Sequence, residues 1–256
     1  MNILFTICGR AGSKGFKNKN LKLFLGRPLV YYSIAAIALY MEKNVTEITN
    51  VDVVLNTDSE KLIQIVSQQN TVPINVIRRD SALGGDAVPK ISVIKDSLVK
   101  MEKNHKKHYD IVVDLDITSP LRTANDIETA INKKIARDNT DVVFSVTESR
   151  RNPYFNMVKE ENGFFLKAIS SEYTARQQAP KFYDMNASIY VYSVDALRNK
   201  KPNVFFNNRC DAIFMKDTGI LDIDSEEDFQ LMQVIAEYLF FHEEEYKQIY
   251  DKVKHI

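Results

Sequence analysis

The sequence predicts an α/β fold: a mainly parallel, twisted sheet covered by helices on both faces. Short β-branched apolar runs alternate along the chain with helical patterns, and that order implies parallel strands joined by crossover helices. The first run leads into a glycine-punctuated basic loop and then a helical stretch, a strand-loop-helix opening. Two helix-start spacings, at Thr123 and Ser225, fall where the pattern needs helices to begin.

In order, the opening strand is Ile3 to Ile7, and the first helix is expected to start at Pro28, since proline suits a first helical position. Further strands are expected at Val51 to Asn56, Pro73 to Arg78, Asp110 to Leu115, Asp141 to Val146 and Ser188 to Tyr192. Helical patterns separate them at about 60–69, 87–103 and 124–137. Thr123 with Asp126, and Ser225 with Asp228, each pair a hydroxyl with a carboxylate able to satisfy free helix-start amides. The last helix carries Phe229, Met232, Ala236, Leu239 and Phe240 on one stripe, a packing face. The charged tail 243–256 reads as a solvated helix end. Between Thr147 and Asn186 the alternation lapses, with turn signals at Asn152-Pro153 and Asn162-Gly163. That stretch reads as an excursion inserted in one unit spanning 1–256, serving as a lid or a subunit contact.

Lys plus Arg and Asp plus Glu both total 34, a balance that argues against a dedicated nucleic-acid binder. No apolar run approaches the roughly 20 residues of a membrane span, and no signal-peptide pattern follows Met1. A cytoplasmic location without a membrane partner is therefore expected. The two cysteines, Cys8 and Cys210, read as small buried hydrophobes. Charge is unevenly placed: Arg10, Lys14, Lys17, Lys19, Lys22 and Arg27 precede the first acid, Glu42, so an anionic ligand is expected near the N-terminus.

Gly9-Arg10-Ala11-Gly12-Ser13-Lys14-Gly15 has the parts of a phosphate cradle: glycines admit backbone amides to a polyphosphate, and the cations neutralise its oxygens. It matches neither the dinucleotide fingerprint nor the Walker loop. Arg10-x-x-Ser13-Lys14 followed by Lys19-Asn20 resembles the signature of the acylneuraminate cytidylyltransferases. The resemblance implies a Rossmann-like nucleotide-sugar-transferase fold in which Arg10, Ser13, Lys14 and Asn20 hold CTP.

The likeness continues in register. Asn56-Thr57-Asp58-Ser59 resembles the family's Ser-Thr-Asp, although Asp58-Ser59 alone reads as a helix cap. Arg79, with Leu83 and Asp86 behind it, is similar to Arg-Pro-x-x-Leu-Ala-x-Asp and implies that Arg79 and Asp86 face the nucleotide. Thr118-Ser119-Pro120-Leu121-Arg122 resembles the family's Thr-Ser-Pro-Leu-Arg and places Thr118 and Ser119 at the nucleotide. Before it stands Asp116-Ile117 where Gln-Pro is usual. Asp116 is then expected on the sugar acid, with a carboxylate that only accepts hydrogen bonds. This variant, with Asn152-Pro153-Tyr154-Phe155-Asn156, looks closer to members acting on legionaminic acid. Arg176-Gln177-Gln178-x-Pro180, Tyr190 and Phe205-Phe206 resemble the sugar-binding stretch, although the phenylalanine pair by composition alone reads as core. In related enzymes the excursion mediates dimerisation, so a homodimer is expected.

Asp222-Ile223-Asp224 resembles a metal-binding Asp-Ile-Asp. On an extended segment both aspartates face one way, their Cα atoms roughly 6.6 Å apart. Carboxylate oxygens beside a triphosphate favour Mg²⁺, or Mn²⁺ in its place. The implied reaction moves CMP from CTP to the C2 hydroxyl of a nine-carbon nonulosonic acid, with Arg10, Lys14, Asp222 and Asp224 as the catalytic set. A cytidylyltransferase for an eight-carbon octulosonic acid, or an Asp-x-Asp sugar-nucleotide glycosyltransferase, stands as the alternative. No general base is identified.

Overall fold

A computed structural model of the chain describes residues 1–12, 15–43, 50–85, 87–202, 205–206, 209–219 and 222–256. Eleven strands are seen among these residues: β1 (Asn2–Gly9), β2 (Leu23–Phe24), β3 (Arg27–Pro28), β4 (Asn50–Thr57), β5 (Ile74–Arg78), β6 (Ile111–Leu115), β7 (Val142–Glu148), β8 (Val158–Glu161), β9 (Phe164–Lys167), β10 (Tyr183–Ser193) and β11 (Cys210–Phe214). The α-helices are α1 (Val30–Lys43), α2 (Glu60–Ser67), α3 (Lys90–His105), α4 (Ala124–Ala136), α5 (Val194–Asn199), α6 (Glu226–His242) and α7 (Glu244–Lys254).

Seven strands form one sheet in the order β11-β7-β10-β6-β1-β4-β5. All run parallel except β10, which is antiparallel to both neighbours. Period-two alternation divides the side chains between two cores. Ile3, Phe5 and Ile7 of β1 join Val113 and Leu115 of β6 beneath α1, α2, α4, α6 and α7. Leu4 and Cys8 turn the other way, with Val54 and Val112, against α3 and α5. Thr6, Asp114 and Asp116 fall by parity on that second face, where α3 begins.

Both expected capping boxes are present. Thr123 and Ser225 accept from the backbone amides of Asp126 and Asp228, whose carboxylates bond back to the cap amides. The five residues of the α6 stripe are the ones it buries.

Two expectations are corrected. Pro28 does not open α1: β2 and β3 pair as a minute hairpin whose turn, Leu25-Gly26, has φ of 45° and 76°, and Pro28 lies opposite Leu23. That positive-φ turn matches strand twist, and the helix starts only at Val30. Nor is the tail a solvated helix end. It forms α7, which buries Tyr246, Ile249 and Val253, while Phe240 and Tyr250 stack with centroids 4.8 Å apart. The apolar spacing of 246, 249 and 253 is helical but hidden among lysines and glutamates. Ile249→Ala should therefore cost about 2–4 kcal/mol, the usual range for a fully buried isoleucine, read as a lowered urea midpoint. A midpoint equal to that of the unsubstituted protein would put α7 outside the folded core.

The lapse after β7 corresponds to β8 and β9, a hairpin separate from the main sheet. Its turn is Asn162-Gly163, with φ of 55° and 79°. The pairing of Glu148 with Tyr183 brings the two ends of this excursion together.

Candidate functional site

The chain passes from β1 outward through β4 to β5 and then returns to β6 on the other side of β1. The order reverses there, and a crevice opens beyond the carboxyl ends of the strands, the usual place for a ligand in an open α/β sheet. A cavity of about 210 Å³ occupies it, walled by Arg10, Lys19, Asn20, Arg79, Lys90, Asp116, Thr118 and Asp222.

Each cation has a brace. Gly9 is closely packed: a Cβ there would stand 2.5 Å from Leu62 Cδ2 and 2.9 Å from Ile117 Cδ1, so a side chain would have to displace both. Just beyond it the Ala11 backbone amide donates to Asp58 Oδ1 at 2.7 Å, and the Asn20 side-chain Nδ2 donates to the Arg10 carbonyl at 3.1 Å. Asp58 thus ties down the loop, while Ser59 is the cap of α2. Lys19 Nζ donates to the Ile223 carbonyl at 3.0 Å and to Asp224 Oδ1 at 2.8 Å, joining the basic loop to the acidic pair. Arg79 is steered by buried Asn56, donating to its Oδ1 at 3.1 Å and to its carbonyl at 2.8 Å. Asn56 is itself held by Ser97 of α3 at 3.0 Å.

On the acidic side, the Ile223 amide donates to the Thr118 carbonyl at 2.9 Å and the Ile223 side chain is buried, so its two neighbours face outward. Burial, then the charges of Asp224 and Asp116, push the half-buried Asp222 carboxyl up to about 6. Mutual repulsion in an oxygen-donor pair is what a divalent cation relieves. Among the described residues no group of three His, Cys, Asp or Glu forms a metal cage. A two-carboxylate site completed by water and phosphate is the form Mg²⁺ adopts, and Asp222 with Asp224 fits it.

Asp116 is bound on three sides. Its Oδ1 accepts from the Thr118 amide at 3.1 Å and hydroxyl at 3.0 Å, and its Oδ2 meets Lys90 at 2.7 Å. Burial alone would raise the carboxyl, but Lys90 and Thr118 outweigh it and hold it at about 2. Ser119 is buried and donates to the Asn186 carbonyl at 3.3 Å, a brace rather than part of the cavity wall. Tyr190 lies across from Asp114 in the sheet, and burial pushes its hydroxyl up to about 12, so it stays a donor. Phe206, with φ of 71°, packs on Phe144 and Tyr190, whereas Phe205 is buried against Tyr192.

Arg176 and Gln177 stand elsewhere. They line a separate cavity of about 380 Å³ with Asn152, Phe182 and Tyr183, and Arg176 donates to the Ser149 carbonyl at 2.9 Å. Within one chain they share no wall with Asp116 or Asp222. Ser13, Lys14 and Asp86 lie outside the described residues. The four histidines are exposed, and none lines the crevice. Burial and the charge of Asp114 push the Cys8 thiol up, so it is no nucleophile. Lys90 and Asp114 are not among the residues expected at the site; the helical pattern at about 87–103 sets Lys90 inside a helix, whereas the helix starts at Lys90.

A basic loop facing an acidic pair across the switch point of an open, mainly parallel sheet is the arrangement of a nucleotide-binding α/β protein. A family model described as cytidylyltransferase matches residues 4–248, and the chain belongs to that family of nucleotidyltransferases. It is 34% identical to the CMP-N,N'-diacetyllegionaminic acid synthase of Campylobacter jejuni, over 91% of this chain and 94% of that one. It is 28% identical to an N-acylneuraminate cytidylyltransferase of Streptococcus agalactiae, over 94% of this chain and 54% of that longer one. Among solved structures, a CMP:2-keto-3-deoxy-manno-octonic acid synthetase complexed with CTP shares the fold, with a TM-score of 0.64 at 17% identity. That match covers 93% of this chain and 99% of the other. No helix among the described residues is long and apolar enough to cross a membrane.

Proposed function

We propose that this protein transfers CMP from CTP to the anomeric C2 hydroxyl of a nine-carbon nonulosonic acid, of the legionaminic or sialic type, and releases pyrophosphate. The carrying observation is the crevice that sets Arg10, Lys19 and Arg79 against Asp222 at the switch point. The relatives' names supply the substrate class.

The C2 hydroxyl oxygen attacks the α-phosphorus as the bond to the β-phosphate oxygen breaks, and the hydroxyl proton passes to solvent. Positioning and charge neutralisation dominate such transfers. Arg10 and Lys14 hold the departing pyrophosphate; with Ser13 and Asn20 they bind the triphosphate and nucleoside of CTP. Arg79 and Asp86 face the nucleoside, and Thr118 and Ser119 form the turn beneath it. Asp222 and Asp224 would hold Mg²⁺ or Mn²⁺, which supplies charge neutralisation at the α-phosphate when bound. Asp116 and Tyr190 meet the acid, with Phe206 against its apolar parts and Phe205 supporting Phe206.

Arg176 and Gln177 reach an acid only from another subunit, so the reading includes a homodimer built on the excursion. The exposed Phe164 and Phe165, 74% and 72% accessible, are the kind of surface such a contact covers. The setting proposed is the cytoplasm, where CTP is available.

The test offers neuraminic, legionaminic, pseudaminic and octulosonic acids with CTP and a divalent cation, and follows pyrophosphate. Legionaminic acid should give the fastest release. Release with none of the nine-carbon acids would overturn the proposal, and a clear preference for neuraminic acid would overturn the role given to Asp116.

A further inference from the structure

The start of α3 breaks a local rule. Lys90 is the first residue of the helix, where unpaired amides already concentrate positive charge, and the first turn contains no acid to offset it. The compensation comes from the sheet: Lys90 Nζ lies 2.7 Å from Asp114 Oδ2 and 2.7 Å from Asp116 Oδ2. Asp114 is fully buried, and its other oxygen accepts from the Thr6 hydroxyl at 2.7 Å. It reaches no ligand. A buried carboxylate is costly unless paired, so Asp114 and Lys90 hold each other, and the lysine is aimed by a group that does not itself line the crevice.

Asp116 has one oxygen engaged by two Thr118 donors and the other beside Lys90 with a lone pair to spare. Lys90 carries three protons, one of which it donates to Asp116 Oδ2, while Asp114 Oδ2 holds the ammonium as an ion pair. Both residues line the crevice. They therefore turn one acceptor and one donor, side by side, toward a ligand. Lys90, Asp114 and Asp116 together carry a net negative charge, which suits no phosphate, and Arg10 and Lys19 offer cations to phosphate from the same wall. A sugar hydroxyl fits instead, because one oxygen both donates and accepts.

The geometry points to Lys90 and Asp116 as a composite reader of one hydroxyl on the acceptor sugar acid, with Asp114 positioning Lys90. The hydroxyl donates to Asp116 Oδ2 and accepts from Lys90 Nζ. The inference rests on the proposed function and adds a residue, Lys90, and a specific group on the substrate. A site built to hydrogen-bond a hydroxyl rejects the analogue that lacks it far more strongly than an apolar pocket does.

The experiment compares the unsubstituted enzyme with Lys90→Met and Asp116→Asn, using the nine-carbon acid it turns over fastest and a set of analogues each missing one hydroxyl. Lys90→Met/Asp114→Asn, which leaves no bare buried carboxylate, replaces Lys90→Met if that variant folds poorly. The unsubstituted enzyme should reject one analogue by about 100-fold or more in kcat/KM. Each variant should lose about 30-fold or more on the full acid, mainly through KM, and should no longer distinguish that analogue, while KM for CTP stays within about threefold. Retained discrimination, or a KM for CTP rising in step with that for the acid, overturns the inference alone. An unsubstituted enzyme that releases no pyrophosphate with any nine-carbon acid overturns the proposed function and this inference with it.

Discussion

Asp222→Asn should reduce CTP-dependent pyrophosphate release by about 100-fold or more and yet leave the metal-free protein as heat-resistant as before, or more so. The two halves have one cause. Asp222 is half-buried beside Asp224 and Asp116, and its carboxyl is displaced from 3.8 to about 6. Ionised Asp222 thus destabilises the fold at neutral pH, which is the cost of keeping an oxygen ligand where a cation can use it. A displacement of this size corresponds to about 3 kcal/mol for a fully buried group, and solvent screening at this exposure reduces it to about 1 kcal/mol. For a chain of this size that is about 2–4 °C in thermal midpoint. The sign with pH follows from an acid whose folded pKa is raised: the penalty is complete above about pH 6 and gone below about pH 4. The advantage of the asparagine variant should vanish over the same window. Turnover near that of the unsubstituted enzyme would remove Asp222 from the reaction.

The elements legible in the sequence are those specified by neighbours along the chain. Alternation in Ile3, Phe5 and Ile7 marks a strand, and Thr123 with Asp126 marks a helix start, because each signal closes within a few residues. α7 was not legible, since its three buried residues are diluted by charges that project to solvent. The Lys90, Asp114 and Asp116 cluster was hidden for another reason. Its members come from a helix start and a strand end, and only parity on β6 together with the placing of α3 brings them within 2.7 Å. Resemblance located Arg10, Asn20, Arg79, Asp116, Thr118 and Asp222 on one crevice. It also assigned Arg176 and Gln177 to the sugar acid, on an excursion expected to reach toward a neighbouring active site, and those two line another cavity. A motif orders residues along the chain, whereas a cavity orders them in space.

Arg122→Met is expected to be the most damaging single change outside the cavity wall. Arg122 is fully buried, and its guanidinium is the hub of the turn that carries Asp116 and Thr118. Nε donates to Ser188 Oγ at 3.1 Å and Nη1 to Ser33 Oγ at 3.3 Å, while Nη2 donates to the carbonyls of both Asp116 and Ser119. Burial lowers the guanidinium to about 10, so it stays charged at neutral pH and keeps every donor. Methionine fills much of the stem's volume and supplies none of them. Two turn carbonyls and two hydroxyls then each lose a charged donor in a dry interior, with only the Ser33 hydroxyl left on the Asp116 carbonyl at 3.3 Å, a loss of about 3–5 kcal/mol. The thermal midpoint should fall by about 6–20 °C. Below the new transition the variant should still lose about tenfold or more in kcat/KM for the sugar acid, because Asp116 is no longer held from behind. Arg122→Lys keeps the charge but not the planar fork, so it should fall between the two. A midpoint within about 3 °C of the unsubstituted protein would mean that the turn is held by Thr118 and Ile223 alone, and that Arg122 fills space without organising the site.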